Sequence, residues 1–380
     1  MILSLALFWY GLVPLGGAFV VRQGWRLFRR RFNELSLKPL LNYAAASLSG
    51  DGEEYRFAGN FESVAENRIL WVRSRDLTIP VDLSGAYTYV LPDTWEEGPA
   101  SFDPGEEVPE RIRWEHVSAL TGETRVFVGG CLALRDNRRI FVSTPKKSLL
   151  VIFYEGSDRS LAIRTIRAGR HKNEFWNFIT PYAFVCGAFS QILLAASFFT
   201  RPAFRLTVIT AFIALFAPLF PLIPPGIFLT IPSRRLWWKA RICRAYRDLA
   251  RLPLGYFRSC ENQGRLPNGE TYTAREYSEL PGMFYQQNFP FIIPAEEKRL
   301  QDKWYVFGVL TTKASGEDDL PLEPADAFAV YGALPGESET LARRYTRKAW
   351  VLETASALLL LAGIGINVFF IRLLLLLLTV

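Results

Sequence analysis

Imidazole and thiol chemistry is scarce in this chain of 380 residues. Its two histidines are His116 and His171, and its four cysteines, Cys131, Cys186, Cys243 and Cys260, form no C-x-x-C pair. Scattered thiols build neither a disulfide framework nor a tetrahedral zinc site. The sequence also lacks G-x-x-x-x-G-K-[ST], a dinucleotide glycine fingerprint, H-E-x-x-H and a nucleophile elbow. Phosphate-loop, zinc-hydrolase and serine-hydrolase chemistry therefore have no foothold in it. His171 belongs to a basic stretch ahead of an apolar run, which suits an interfacial charge, and His116 beside Glu115 reads as a surface residue. Gly129-Gly130 reads as a strand bulge. Glu96-Glu97 and Glu106-Glu107 read as solvated charge in a proline-rich loop. No catalytic residue, cofactor or metal is expected.

Charge is scarce too. Only 21% of residues are charged against 50% apolar and 14% aromatic, and mean hydropathy is slightly positive at +0.11. That balance argues against a disordered or purely soluble chain. The net charge of +7 invites a nucleic-acid reading, but the cations cluster beside apolar runs, so no nucleic-acid partner is expected.

A membrane helix needs about 20 mostly apolar residues. Ile2 to Val21, Phe175 to Phe199, Leu206 to Ile231 and Val351 to Val380 meet that length. The first has no Lys or Arg ahead of it, so it reads as an uncleaved anchor rather than a signal peptide. Basic flanks mark the cytoplasmic side. Arg22, Arg26, Arg29, Arg30 and Arg31 follow the first span, and Arg164, Arg167, Arg170 and Lys172 precede the second. Arg234, Arg235, Lys239, Arg241, Arg244 and Arg247 follow the third, and Arg343, Arg344, Arg347 and Lys348 precede the fourth. All four flanks give one topology: both termini and the Thr200 to Arg205 turn outside, and both long segments inside. A bacterial inner membrane suits this layout. Arg372, near the end of the last span, can snorkel to the outer interface.

The third span holds Pro218, Pro221, Pro224 and Pro225, which forbid a straight helix. A kinked helix is the plainer reading. A broken transport helix is the sharper one, with an aqueous path lined by Asn177, Gln191 and Asn367.

The soluble segments each open with a basic amphipathic helix expected to lie on anionic inner-leaflet lipid. In residues 22–50, Trp25, Phe28, Phe32 and Leu35 form the apolar stripe. In the segment 233–350 the stripe is Trp238, Ile242, Leu249 and Leu252. Trp25, Trp237, Trp238 and Trp350 are the expected interfacial anchors. From Asp51 to Glu110 the composition turns acidic, with 14 acids against 4 bases. Residues 51–174 alternate with period two around turns at Glu66-Asn67 and Asp136-Asn137, and Leu149 to Tyr154 adds a strand. These runs predict a small barrel-like or sandwich β domain, with Leu91 to Pro109 as a surface loop. In the second segment, sequence up to Pro294 reads as irregular, Trp304 to Leu310 and Phe328 to Tyr331 as strands, and Glu339 to Lys348 as a helix entering the fourth span.

The chain also repeats itself. At an offset of 180, Val126-Phe127 matches Val306-Phe307, Gly156 matches Gly336, Leu161-Ala162 matches Leu341-Ala342, Arg164 matches Arg344 and Arg167 matches Arg347. At an offset of 214, Arg30, Glu34, Leu35, Pro39 and Leu40 match Arg244, Asp248, Leu249, Pro253 and Leu254. Two copies of one module with a parallel pseudo-twofold are therefore expected.

The hairpin Val126 to Val142, the linker Ser143 to Lys147, the strand Leu149 to Tyr154, the turn at Gly156 and the helix Ser160 to Arg170 resemble the end of a GIDE-type domain. That domain belongs to mitochondrial MULAN-like membrane ubiquitin ligases. Tyr55 to Val64 is similar to its opening strand, and Trp304 to Trp350 is similar to the same tail. Those ligases carry a zinc-bound RING, for which this chain has no ligand array, so the resemblance implies a membrane-embedded β-rich module without ligase activity.

The expected fold class is thus an α+β membrane protein with four transmembrane helices and two β-rich cytoplasmic modules in tandem. The expected role is a scaffold or sensor that binds a protein partner or lipid, with an oligomer possible. A small-solute transporter and a membrane-bound hydrolase are the alternatives.

Overall fold

The computed structural model describes every residue except 49, 51, 66, 76, 92–109, 118–119, 121–123, 136, 171–172, 200–204, 258–262, 280–302, 311–319 and 380. His171, Cys260, the proline-rich loop and the turn after Phe199 therefore lie wholly or mainly outside the described residues. In chain order the helices are α1 Ile2–Leu7, α2 Val13–Ser36, α3 Tyr43–Leu48, α4 Trp114–Val117, α5 Leu161–Arg167, α6 Thr180–Phe199, α7 Arg205–Leu215, α8 Ile227–Arg251 and α9 Ser338–Thr379. The strands are β1 Glu54–Val64, β2 Ile69–Ser74, β3 Leu77–Asp82, β4 Tyr87–Leu91, β5 Glu110–Arg111, β6 Arg125–Arg135, β7 Arg138–Val142, β8 Leu150–Tyr154, β9 Gln263–Arg265, β10 Thr271–Tyr277, β11 Trp304–Val309 and β12 Gly332–Leu334.

Contacts divide the chain into two compact units, one of Met1–Leu27, Lys172–Cys243 and Thr346–Val380, the other of Phe28–His171 and Arg244–Tyr345. The first is helical. Three helices are long and apolar enough to cross a membrane, over Ile2–Ser36, Thr180–Phe198 and Ser338–Leu374. Between α1 and α2 the backbone widens into a π-helical turn, Phe8–Leu12. Pro14, just beyond, cannot donate a backbone N–H to the turn before it.

The remaining apolar stretch, residues 206–231, is not one helix. α7 stops at Leu215, a 3-10 segment runs Ala217–Leu222, and α8 starts at Ile227. The prolines interrupt the helical ladder, and although Phe220 O and Ile223 O keep the Ile223 and Ile227 N–H groups at 3.4 and 3.1 Å, these carbonyls stay open to a second donor. Asn367 on α9 answers them: its Nδ2 donates to Ile223 O at 2.8 Å and to Phe220 O, and its Oδ1 accepts the Gly226 N–H at 2.9 Å. Residue 226 must be glycine for this approach, because a Cβ there would strike the Asn367 amide and the Gly363 carbonyl. Ser233 and Ser356 each donate to the other's carbonyl at 2.8 Å. Asn177 Nδ2 donates to Pro14 O at 3.0 Å and Glu174 O at 3.1 Å. The Gln191 amide is 1% exposed and neither of its polar atoms has a partner among the described residues.

The second unit holds two sheets. In the first, β1 pairs with β6 over Glu54↔Cys131 to Asn60↔Arg125, then turns its far end onto β2. β2 continues antiparallel to β3, which touches β7 in parallel at Val81↔Phe141, and β7 returns antiparallel to β6. The ring closes into a barrel. Asn137, just ahead of β7, takes φ +56°, a conformation asparagine tolerates better than most residues. β6 also pairs with β8, which carries β4 in parallel and then β5 at the edge. Alternation aims Phe57, Leu70, Val72, Val81, Val126, Phe141, Val151 and Phe153 into one core. The second sheet has the order β12-β11-β10-β9, around the small cluster Trp304, Val306 and Ala333. Its pair Val306↔Ala333 stands 180 residues beyond Val126↔Phe153 of the barrel.

Several expectations are corrected. The basic helix of residues 22–50 is not a separate interfacial helix. It continues α2 and ends at Ser36, and its stripe of Phe28, Phe32 and Leu35 is buried in the protein. Phe32 meets Phe127 at 5.2 Å between ring centroids. Gly129-Gly130 form no bulge against β1. A Cβ on Gly129 would come within 2.6 Å of Leu35 and one on Gly130 within 2.5 Å of Leu149, so these glycines admit close packing. On α8 Leu249 of the expected stripe is buried, together with Ala240, Cys243, Ala245 and Ala250, while Trp238 is exposed. The stretch read as irregular before Pro294 contains β9 and β10. The last strand is Gly332–Leu334 rather than Phe328–Tyr331, because Asp326 holds residues 326–329 in a turn, its Oδ1 accepting the Phe328 N–H at 3.1 Å.

Candidate membrane-surface site

Basic side chains were the expected functional residues, and the structure sorts them into two groups. In the second unit Arg29 donates to Ala168 O at 2.7 Å. Arg31 donates to Ser148 O at 3.0 Å and to Glu54 at 2.8 Å. Arg247 reaches Asp248 at 2.7 Å, where Arg170 also pairs. Arg30 is exposed beside Glu34, and Arg244 is half-buried. Most of these charges hold the protein together rather than face lipid. Burial pushes the Glu54 carboxyl up, but the hydrogen bond and charge of Arg31, with Lys147 and Lys38, outweigh it and hold its pKa below the usual range. Asp248 is depressed in the same way: burial raises it, and Arg170 and Arg247 overcome that.

The first unit arranges its cations differently. Arg26, Arg234, Arg235 and Lys239 are exposed, as are Trp237, Trp238 and Trp350, while Trp25 is half-buried. Arg22 and Arg241 converge on one carboxylate. Arg22 Nε lies 2.9 Å and Arg241 Nη2 2.7 Å from Glu174 Oε2. Both guanidiniums also lie over the Trp237 ring, at 5.6 and 5.1 Å from its centroid. Such stacking suits arginine, whose flat cation is weakly hydrated. Helical spacing produces this locally: Arg234, Trp237, Trp238 and Arg241 stand at i, i+3, i+4 and i+7 on α8, one face of the helix.

Glu174 was missed in the sequence, although it is the acid at the boundary between a basic stretch and an apolar run. Arg56 and Asp326 were missed as well. Arg56 is 1% exposed, forks onto the Asp326 carboxylate, donates to Lys38 O at 2.6 Å and lies over the Phe328 ring. Nearby, Ala162, Ile163, Leu252 and Val330 line a shallow groove rimmed by the Arg159–Glu323 ion pair. His116 is exposed on α4. Among the described residues no group of three His, Cys, Asp or Glu stands where it could hold a metal.

Family models, curated proteins and solved structures were all compared with this chain, and none matches.

Proposed function

We propose that the chain is a multi-pass membrane scaffold or sensor of the bacterial inner membrane. In this reading it has four spans, both termini outside, and two tandem cytoplasmic β-rich modules of the GIDE type. The modules bind a protein partner, and the basic ends of the spans contact anionic inner-leaflet lipid. The observation that carries the reading is the stretch of α8 in which exposed Arg234, Trp237 and Trp238 share one face and exposed Lys239 stands beside it, immediately after an apolar run. Cations attract anionic headgroups and indoles prefer the headgroup level. The module duplication is supported by the shared strand register at an offset of 180.

The broken helix between α7 and α8 admits a transporter reading, but two of its three expected path-lining residues are occupied. Asn177 and Asn367 spend their amides on backbone groups. The scaffold reading therefore stands first. Topology is its test: a fluorescent protein fused after Val380 should be dark and an alkaline phosphatase fused there active, with the opposite pattern for fusions inserted at the exposed Gly269 turn. Fluorescence at both positions would place both on the cytoplasmic side and end the four-span layout. Cross-linking pull-down from native membranes then identifies the partner.

A further inference from the structure

The cluster at Glu174 has more positive charge than it consumes. Two guanidiniums face one carboxylate, leaving one charge over, and Arg241, 8% exposed, keeps a buried Nε–H with no acceptor among the described residues. A buried charged donor without a partner is costly, and the natural complement is an anion with several acceptor oxygens. The surroundings say what kind. Arg22 follows the first apolar run directly, Glu174 precedes the second by one residue, and Trp237 lies six residues after Ile231, the end of the third. All three groups thus come from the ends of apolar runs, where headgroup phosphates lie. Trp237 and Trp238 are 37% and 47% exposed, offering apolar ring surface beside the charge. Arginine's fork matches phosphate oxygens better than an ammonium does.

We infer that Arg22, Arg241 and Trp237 form a binding site for the phosphate of one anionic glycerophospholipid. Arg241 Nε donates to the phosphate, Glu174 holds the two guanidiniums at the indole, and Arg234 and Lys239 attract the headgroup. This rests on the membrane reading above but adds a defined stoichiometry and residue set to it.

The test uses the full-length chain, stripped of native lipid and held in a neutral detergent, with native mass spectrometry counting bound molecules. Short-chain phosphatidylglycerol should fill one site saturably, and short-chain phosphatidylcholine should bind at least tenfold more weakly. Inorganic phosphate should not displace the lipid at equal concentration. Arg241→Gln should weaken phosphatidylglycerol binding at least tenfold, whereas Arg343→Gln, an exposed change on α9, should leave it unaltered. Should Arg241→Gln fail to fold, Arg241→Lys keeps the charge, and Trp237→Leu removes the stacking surface; each should weaken binding several-fold. Undiminished binding in the folded variants, or equal binding of phosphatidylcholine, overturns the site. Displacement by inorganic phosphate assigns it to a free anion and overturns the lipid source. Extraction of the chain from membranes by alkaline carbonate would refute the membrane reading itself, a failure that none of the binding outcomes can mimic.

Discussion

The barrel and the four-stranded sheet solve the same pairing problem with unequal resources. Both place a long strand between two antiparallel neighbours, β6 between β1 and β8, and β11 between β10 and β12. The barrel closes a ring and fills it with Phe57, Phe141 and Phe153 among many aliphatic neighbours. The smaller sheet stays open, with Trp304, Val306 and Ala333 packed together and Tyr272 and Phe307 packed on Phe257. It is joined to the barrel by the buried Arg56–Asp326 pair and the Phe127–Phe328 contact at 5.3 Å, and an open sheet of four strands gains more from such a join than a closed ring does. The barrel thus acts as the foundation and the second sheet as its dependent.

The sharpest way to break that relation is to remove the fastening. Arg56→Ala leaves Asp326 charged and buried, which costs about 3–5 kcal/mol. Hydrogen exchange should accelerate in β10 and β11 well before β6 and β8 respond, and equal acceleration in both would contradict the dependence. Arg56→Met with Asp326→Leu should recover much of the loss. Gly129→Val is next, because it drives a side chain into Leu35. Overpacking of this kind costs about 1–3 kcal/mol, and the denaturation midpoint of the barrel should fall.

A smaller effect should come from pH. Asp248 has a folded pKa below its unfolded value, so its contribution is full above about pH 4 and is lost as pH falls through the folded value. Melting temperature between pH 6 and pH 3 should drop less steeply in Asp248→Asn. The smallest effect belongs to Arg135→Ala. It removes an exposed pair with Asp82 at 3.0 Å and should change stability by about 1 kcal/mol or less.

What the sequence revealed depended on how local each signal is. Three of the four apolar runs and the hairpin Val126 to Val142 announce themselves through length and period-two alternation and are found in place, whereas the proline-rich third run is broken. β10 was illegible because Thr271–Tyr277 mixes Thr, Arg and Glu among its tyrosines, and only its Tyr272 and Thr273 are deeply buried. The α2 stripe was read correctly as apolar but assigned to lipid, since periodicity says that a face is covered and not by what. Arg56 and Asp326 lie 270 residues apart, so no local pattern could join them. The candidate site was half visible: its cations and indoles were evident, whereas the convergence on Glu174 needs three chain segments to meet.

Asn367 imposes an order on synthesis. The carbonyls at Phe220 and Ile223 and the N–H of Gly226 find their side-chain partner 141 residues later in the chain, measured from Gly226. At ribosomal speeds of about 5–20 residues per second, that is a wait on the order of ten seconds or more. During that interval a chain inserting into a bilayer holds a segment whose Gly226 N–H must borrow an acceptor from water, insertase or a chaperone. Completion is then a post-insertion event, set by the arrival of the last helix, and a nascent chain truncated before Asn367 would present quality-control proteases with a persistent target.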